Sequence, residues 1–319
     1  MARVNSRLGG SSVLLLDDDP AYGYLSLIGR RAPELKIVTF SESDAVARGD
    51  CPIWLGAPDK AASLLMDGEK PDWLQLTWAG FAPLMRPALP KDYLLTRAVD
   101  VFGQPMLEYV LAHILAHSKS NASYLEKQNR FIWSPVQSNS LLGRRVMIVG
   151  AGNIGQYIAK RLKCLGMDIV GVQRVPTLSG EMQATFDLST FASHLGNVDY
   201  VVNILPDTPK TRNIFNLETF RKMKPGAMFM NIGRGTAVVD ADLVQALEEG
   251  HLSSAVLDVF RQEPLPPSHQ FWVTPNIVIT PHIAGPIDPV SMANSFLENL
   301  DRFESRLPLN GEVDLGRGY

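Results

Sequence analysis

The chain has 319 residues, 45% of them hydrophobic and 20% charged, which is the length of about two ordinary globular domains with enough apolar side chain to fill both cores. A formal net charge of −3 supplies no basic field to gather nucleic acid or an anionic membrane surface. Two cysteines, Cys51 and Cys164, exclude a disulfide framework and a cysteine-built metal site, and they fit a reducing cytoplasm.

From the N-terminus, Arg3 and Arg7 precede an apolar run at 13–16 that is too short for a secretion signal and meets three aspartates at once. No apolar stretch is long enough to span a bilayer, so a cytoplasmic protein is expected. Residues 13–16 read as a buried strand, and Asp17, Asp18 and Asp19 as its solvated end rather than a metal site. Further strands are predicted at 36–40, 53–55, 73–77 and 93–97, alternating with helices or loops as in a parallel open sheet. Trp78-Ala79-Gly80-Phe81 follows one of these strands. Ligands of such sheets sit beyond strand carboxyl ends, so the Gly80 turn is either an anion cradle or a plain turn between apolar elements. Residues 105–128 carry helical periodicity, with Met106, Tyr109, Val110, His113, Ile114 and His117 on one broad face. His113 and His117 have the spacing of two metal ligands on a helix, but they lack a third ligand and read as packed histidines. Phe131, Trp133 and Pro135 form an aromatic connector suited to a subunit contact or a hydrophobic anchor.

Arg145 to Gly155 reads Arg-Val-Met-Ile-Val-Gly-Ala-Gly-Asn-Ile-Gly. A β-branched strand runs into G-x-G-x-x-G, and Ile154, Ile158, Ala159, Leu162 and Leu165 continue at helical spacing. Gly150 allows the tight turn, Gly152 clears the backbone for a pyrophosphate, and Gly155 lets helix and strand pack closely. The helix start at Asn153, Ile154 and Gly155 then presents N–H groups to the ligand, making this a dinucleotide site. At the end of the next strand, 169–172, an NAD-binding carboxylate is replaced by Gln173 and Arg174. A neutral residue beside a guanidinium favours a 2′-phosphate, hence NADPH over NADH; the alternative is an Arg174 that points elsewhere. Strands follow at 200–204, 227–231, 255–259 and 277–279, with helices at 217–223, 239–249 and 286–306. Neither an internal repeat nor a low-complexity tract stands out.

Arg234, Glu263 and His282 each lie just past a predicted strand, in Asn-Ile-Gly-Arg-Gly, Asp-Val-Phe-Arg-Gln-Glu-Pro-Leu and Thr-Pro-His-Ile-Ala-Gly. Singly each reads as an ordinary structural residue. Together, at successive strand ends of one dinucleotide-binding unit, they indicate a site.

With these motifs and Leu205-Pro206-Asp207-Thr208-Pro209-Lys210-Thr211, the sequence resembles the D-isomer-specific 2-hydroxyacid dehydrogenase family. The resemblance is best over 101–285 and looser over the first 90 or so residues. Trp78-Ala79-Gly80, Phe102-Gly103 and Gln173-Arg174 resemble its glyoxylate/hydroxypyruvate reductase group. The resemblance implies that Arg234 holds the substrate carboxylate and polarises its 2-oxo group, and that His282 donates the proton to the developing alkoxide. Glu263 would fix the imidazole tautomer and stabilise the charged ring. It further implies cofactor contacts from Leu205, Pro206, Thr211, Ile232 and Asp258, the last toward the nicotinamide carboxamide. The Ala79 and Gly80 amides beside Trp78 would contact the substrate, as would Trp133 from the partner subunit of a homodimer. Formate dehydrogenases of this fold carry glutamine where Glu263 stands, so the glutamate argues for carbonyl reduction.

The expected fold is α/β, with two Rossmann-like or flavodoxin-like parallel-sheet domains separated by a cleft. The dinucleotide-binding domain would be 103–285, and residues 1–102 with 286–319 would form the substrate domain. The expected reaction is NADPH-dependent reduction of a small 2-oxoacid such as glyoxylate or hydroxypyruvate to a D-2-hydroxyacid, with no metal. Alternatives are a dehydrogenase for bulkier 2-oxoacids and a non-catalytic, corepressor-like dinucleotide sensor.

Overall fold

Among the described residues every strand pairs in parallel with its neighbours, and this sets the architecture. The computed structural model describes residues 12–16, 23–41, 48–177 and 180–316. Arg3, Arg7 and the carboxylates at 17–19 lie outside them. The chain divides into two units, one made of Met1–Val101 with Ile287–Tyr319, the other of Phe102–Pro286. Among the described residues no helix is long and apolar enough to cross a membrane.

In the smaller unit, β1 (Ser12–Leu15), β2 (Lys36–Thr39), β3 (Ile53–Gly56), β4 (Trp73–Leu76) and β5 (Leu94–Thr96) form one sheet in the order β2-β1-β3-β4-β5. This is the flavodoxin-like order of a doubly wound sheet. β1, β3 and β4 are buried along their whole length, as continuous apolar runs covered on both faces must be. Helix α1 (Tyr24–Gly29) buries Tyr24 and Ile28, and α2 (Pro58–Met66) buries Ala61, Ala62, Leu64 and Leu65.

The chain returns to this unit through its C-terminal helix, Pro289–Glu304. Asp288 caps it by accepting from the Ser291 N–H at 2.9 Å, and Pro289 occupies the first turn, where its missing donor costs nothing. Trp73 stacks on Phe296 and Phe303 of that helix at 5.5 and 5.2 Å. Beneath them Gln75, Thr96 and Asn299 are wholly buried and satisfied by one another: the Trp73 indole N–H donates to Thr96, and Thr96 and Asn299 both donate to the Gln75 oxygen. A buried polar group that is left unpaired costs about 1–3 kcal/mol, so this network specifies how the C-terminal helix seats.

In the larger unit, β6 (Arg145–Val149), β7 (Asp168–Val172), β8 (Ala184–Phe186), β9 (Tyr200–Asn203), β10 (Ala227–Asn231), β11 (Leu252–Leu257) and β12 (Ile277–Ile279) pair in the order β12-β11-β10-β9-β6-β7-β8. That is the Rossmann order extended by a seventh strand, and its order reverses between β6 and β9, where such sheets bind ligands at the strand carboxyl ends. The helix expected at 105–128 is two helices, α3 (Gly103–Ser118) and α4 (Asn121–Asn129). They break at Ser120, whose φ of 56° is left-handed, and α4 buries no residue at all. β8 escaped the sequence reading because Ala-Thr-Phe is only half-buried and lacks the continuous apolar run that marks the other strands. β11 begins at Leu252, ahead of the expected 255, because Ser253 and Ser254 dilute its apolar signal.

Candidate active site

The glycine turn leaves β6 at its carboxyl end and opens α5 (Asn153–Cys164). Gly150 has a φ of +111°, and a Cβ there would stand 2.9 Å from the Ile204 carbonyl carbon. A Cβ on Gly155 would approach the Gly150 carbonyl oxygen to 2.6 Å, so helix and strand meet at a distance only glycine permits. Gly152 differs, since a Cβ there would meet nothing within 4 Å. The first helical bond runs from the Gln156 N–H to the Gly152 carbonyl, which leaves the Asn153, Ile154 and Gly155 N–H groups ahead of the ladder. No side chain caps this end and no acid lies in its first turn, while Arg161 and Lys163 occupy the last. Open space and the positive dipole end of a helix fit a pyrophosphate.

Beyond β7, the Gln173 side-chain amide donates to the Thr177 carbonyl at 2.7 Å, and Arg174 is exposed beside it. After β9, Leu205 is buried and Pro206 exposed, and Thr211 folds into its own turn by donating to the Pro206 carbonyl at 2.6 Å.

Two buried asparagines join these loops, and sequence reasoning missed them. Asn203 ends β9 and Asn231 ends β10, in register with each other. The Asn203 amide donates to the Asn231 oxygen at 2.9 Å, and the Asn203 oxygen accepts from the Leu205 N–H. The Asn231 oxygen also accepts from the Gly233 N–H, while its amide donates to the Arg234 carbonyl at 3.1 Å. The detectable signal was an asparagine closing each of two otherwise apolar strands, Tyr-Val-Val-Asn and Ala-Met-Phe-Met-Asn.

Arg234 is half-buried and donates to its neighbour's carbonyl, Gly233 O, at 2.6 Å; Ile232 is buried just before it. Gly235 lies so close to the Phe260 backbone that no side chain fits there. Asp207, across from this turn, accepts from Arg212 through Nε and Nη2 at 2.8 and 3.0 Å and from the Thr236 hydroxyl at 2.9 Å. Arg212 chiefly, then Thr236, holds the Asp207 carboxyl below the usual carboxylate range, and the charge of Arg234 adds to this.

Glu263 and His282 meet. The His282 Nδ1 and Glu263 Oε2 atoms are 2.8 Å apart, and the other carboxylate oxygen accepts from the Phe260 N–H at 2.8 Å. Both side chains remain partly open to solvent, at 43% and 36% exposure, so the pair can reach a ligand. Asp258, by contrast, is buried, and its carboxylate accepts from Thr280, Ile283 and Ala284 of the turn that carries His282. Arg234, Glu263 and His282 thus follow β10, β11 and β12, three adjacent strands of one sheet.

The remaining predicted residues lie apart from this cluster in the chain. Trp78 is exposed at the carboxyl end of β4 in the smaller unit, followed by half-buried Ala79 and Gly80. Phe131 and Trp133 are essentially fully exposed, at 97% and 102%, so the connector is no anchor within this chain. His117 bonds the Ser253 hydroxyl at 2.9 Å and stacks edge-on against Tyr200, while His113 packs on Tyr109. Among the described residues no three His, Cys, Asp or Glu side chains stand together as a metal site would require.

Residues 111–284 match the family model described as "D-isomer specific 2-hydroxyacid dehydrogenase, NAD binding domain". That is more than half of the chain. The chain belongs to the D-isomer-specific 2-hydroxyacid dehydrogenase family. Among family members, glyoxylate/hydroxypyruvate reductase A of Serratia proteamaculans (strain 568) is 34% identical over 232 residues, covering 72% of this chain and 74% of that protein. A D-isomer-specific 2-hydroxyacid dehydrogenase family protein from Aeromonas salmonicida subsp. salmonicida A449 superposes with a TM-score of 0.86 at 35% identity, covering 96% of this chain and 99% of the other. An NADPH-dependent glyoxylate/hydroxypyruvate reductase from Sinorhizobium meliloti, solved with NADP and sulfate, superposes with a TM-score of 0.84 at 29% identity, covering 97% and 100%. As a member of this dehydrogenase family the protein is an NAD(P)-dependent oxidoreductase, with two parallel-sheet units of five and seven strands.

Proposed function

We propose that this dehydrogenase reduces a small 2-oxoacid of the glyoxylate or hydroxypyruvate type to the D-2-hydroxyacid, with NADPH as the preferred reductant. The observation that carries the reading is the His282–Glu263 pair beyond β12 and β11, with Arg234 beyond the neighbouring β10. A dinucleotide held at the glycine turn would supply the hydride that C2 of the substrate receives. The residues of this chain supply the rest. Glu263 engages Nδ1 of His282, which leaves Nε2 for the substrate. Nε2 therefore gives its proton to the 2-oxo oxygen as that oxygen gains charge, and accepts it back in the reverse reaction. Arg234 binds the carboxylate and polarises the carbonyl with charge-assisted hydrogen bonds, and the Ala79 and Gly80 amides beside Trp78 are assigned as substrate contacts.

The cofactor assignment follows from Gln173 and Arg174 after β7, where a carboxylate would repel a 2′-phosphate. The Sinorhizobium relative, described as NADPH-dependent, supports it. Gly150, Gly152, Asn153, Ile154 and Gly155 are assigned to the pyrophosphate, and Leu205, Pro206, Thr211, Ile232 and Asp258 to the rest of the dinucleotide. The exposed Phe131 and Trp133 are assigned to the contact of a homodimer, with Trp133 reaching the partner's substrate.

A panel of glyoxylate, hydroxypyruvate, pyruvate and bulkier 2-oxoacids, each assayed with NADPH and with NADH, tests the reading. Glyoxylate and hydroxypyruvate should give the highest kcat/KM, each with NADPH. Preference for a branched or aromatic 2-oxoacid would overturn the substrate class, and dinucleotide binding with no turnover on any member would favour the sensor alternative.

A further inference from the structure

His282 has a φ of +56°, a left-handed backbone that a side-chain-bearing residue rarely adopts and keeps only where its surroundings over-determine it. What holds it can be traced atom by atom. The His282 N–H donates to the Asp258 carbonyl at 2.9 Å and to the Thr280 carbonyl at 3.1 Å. The Asp258 carboxylate receives the Ile283 N–H on Oδ1 and the Ala284 N–H on Oδ2, each at 2.8 Å. Its Oδ1 also receives the Thr280 hydroxyl at 2.6 Å. One buried aspartate therefore gathers donors from both sides of the left-handed residue.

Thr280 has a single hydroxyl proton, and a carboxylate has none to give, so that proton points at Asp258. The Tyr109 hydroxyl, 2.6 Å from Thr280 Oγ1, must then donate into Thr280, across 171 residues of chain. Burial, with the nearby Asp258 charge behind it, pushes the Tyr109 phenol up to about 12, so its proton stays in place at any working pH. Tyr109 stands on α3, its ring covered by His113 at 4.5 Å. The first turn of α3 supports the far side of the same loop, because Gly285 packs against Met106 closely enough that a Cβ would sit 3.0 Å from its Cγ.

We propose that Tyr109 and Thr280 are positioning residues of the reductase site: their hydroxyls, acting in line, lock the Asp258 carboxylate into the 280–284 turn and so hold His282 in its left-handed conformation facing Glu263. The proposal rests on the reading of His282 as the proton donor. Neither hydroxyl touches substrate or cofactor in it. Both act through Asp258, and a ring displaced by an ångström transfers its proton poorly.

The test compares Thr280→Val and Tyr109→Phe, which remove one hydroxyl each at nearly constant volume, with Thr280→Ser, which keeps it. In wild type and variants, kcat and amide hydrogen exchange at Ile283 and Ala284 are measured on the full chain. Thr280→Val should lose about 10²-fold in kcat, the scale of a one-ångström misplacement. Tyr109→Phe should lose about 10-fold, Thr280→Ser should return to within about threefold of wild type, and the two amides should exchange at least tenfold faster in Thr280→Val. Unchanged kcat in both hydroxyl-deletion variants overturns the proposal. So does a Thr280→Ser variant as impaired as Thr280→Val, which would mean that shape and not the hydroxyl matters. If wild type turns over no 2-oxoacid, the functional reading fails by itself, and the amide exchange still decides whether the two hydroxyls hold the turn.

Discussion

His282 illustrates how much of this chemistry rests on one atom's partner. With Glu263 on Nδ1, the ring has one nitrogen left for the substrate, so in the proposed reaction replacing His282 with alanine removes the proton donor without touching the glycine turn. The His282→Ala variant should lose about 10²–10⁴-fold in kcat, the usual worth of a general acid, while NADPH binding followed by fluorescence stays within about twofold. The proposed preference for NADPH rests on Arg174 in the same way. Charge-assisted bonds to a phosphate are worth about 1.5–3 kcal/mol, so Arg174→Ala should raise the KM for NADPH by about 10–100-fold and leave that for NADH nearly unchanged. Equal effects on the two cofactors would remove Arg174 from the 2′-phosphate. Both residues were legible in the sequence because each stands immediately after an apolar strand, and a strand end is a local pattern.

At the scale of elements, the amino ends of the central strands are tied together through one carboxylate. Asp199, just before β9, accepts from the Arg145 N–H at the start of β6 at 2.9 Å, from Lys224 before β10 at 2.7 Å and from Arg144 at 3.1 Å. Burial opposes the charge on Asp199, but Lys224, the Arg145 N–H and Arg144 together outweigh it and hold the carboxyl below the usual range. A depressed folded value means that this stabilisation is complete above the unfolded-state value of about 4 and is lost as pH falls through the lower folded one. Asp199→Asn should therefore unfold in urea with about 1–3 kcal/mol less stability at pH 7, and its deficit against wild type should shrink below about pH 4. A deficit independent of pH would assign the effect to packing. Elements were readable where they were long and apolar. The break at Ser120 was not, since α3 and α4 share one helical period and only the left-handed residue between them separates their axes.

At the scale of the whole molecule, Phe131, Ile132 and Trp133 present three apolar side chains to solvent on consecutive residues, an arrangement a lone chain has no reason to keep. Sedimentation should give about twice the 35.1 kDa chain mass, and Phe131→Asp with Trp133→Asp should shift it toward the single chain. A wild-type protein that sediments as one chain would leave the aromatic connector without a role in assembly. The strand succession apart from β8, the glycine turn and the placing of Arg234, Glu263 and His282 just past strands were present in the linear order of residues, because burial period and turn chemistry act between near neighbours. The choice of hydrogen-bond partners was not. Asn203 meets Asn231, and Tyr109 reaches Asp258 through Thr280, only because sheet order brings distant segments side by side. Nothing in a buried polar side chain names its partner in advance; the fold selects it by putting one donor within reach of one acceptor where no water can compete.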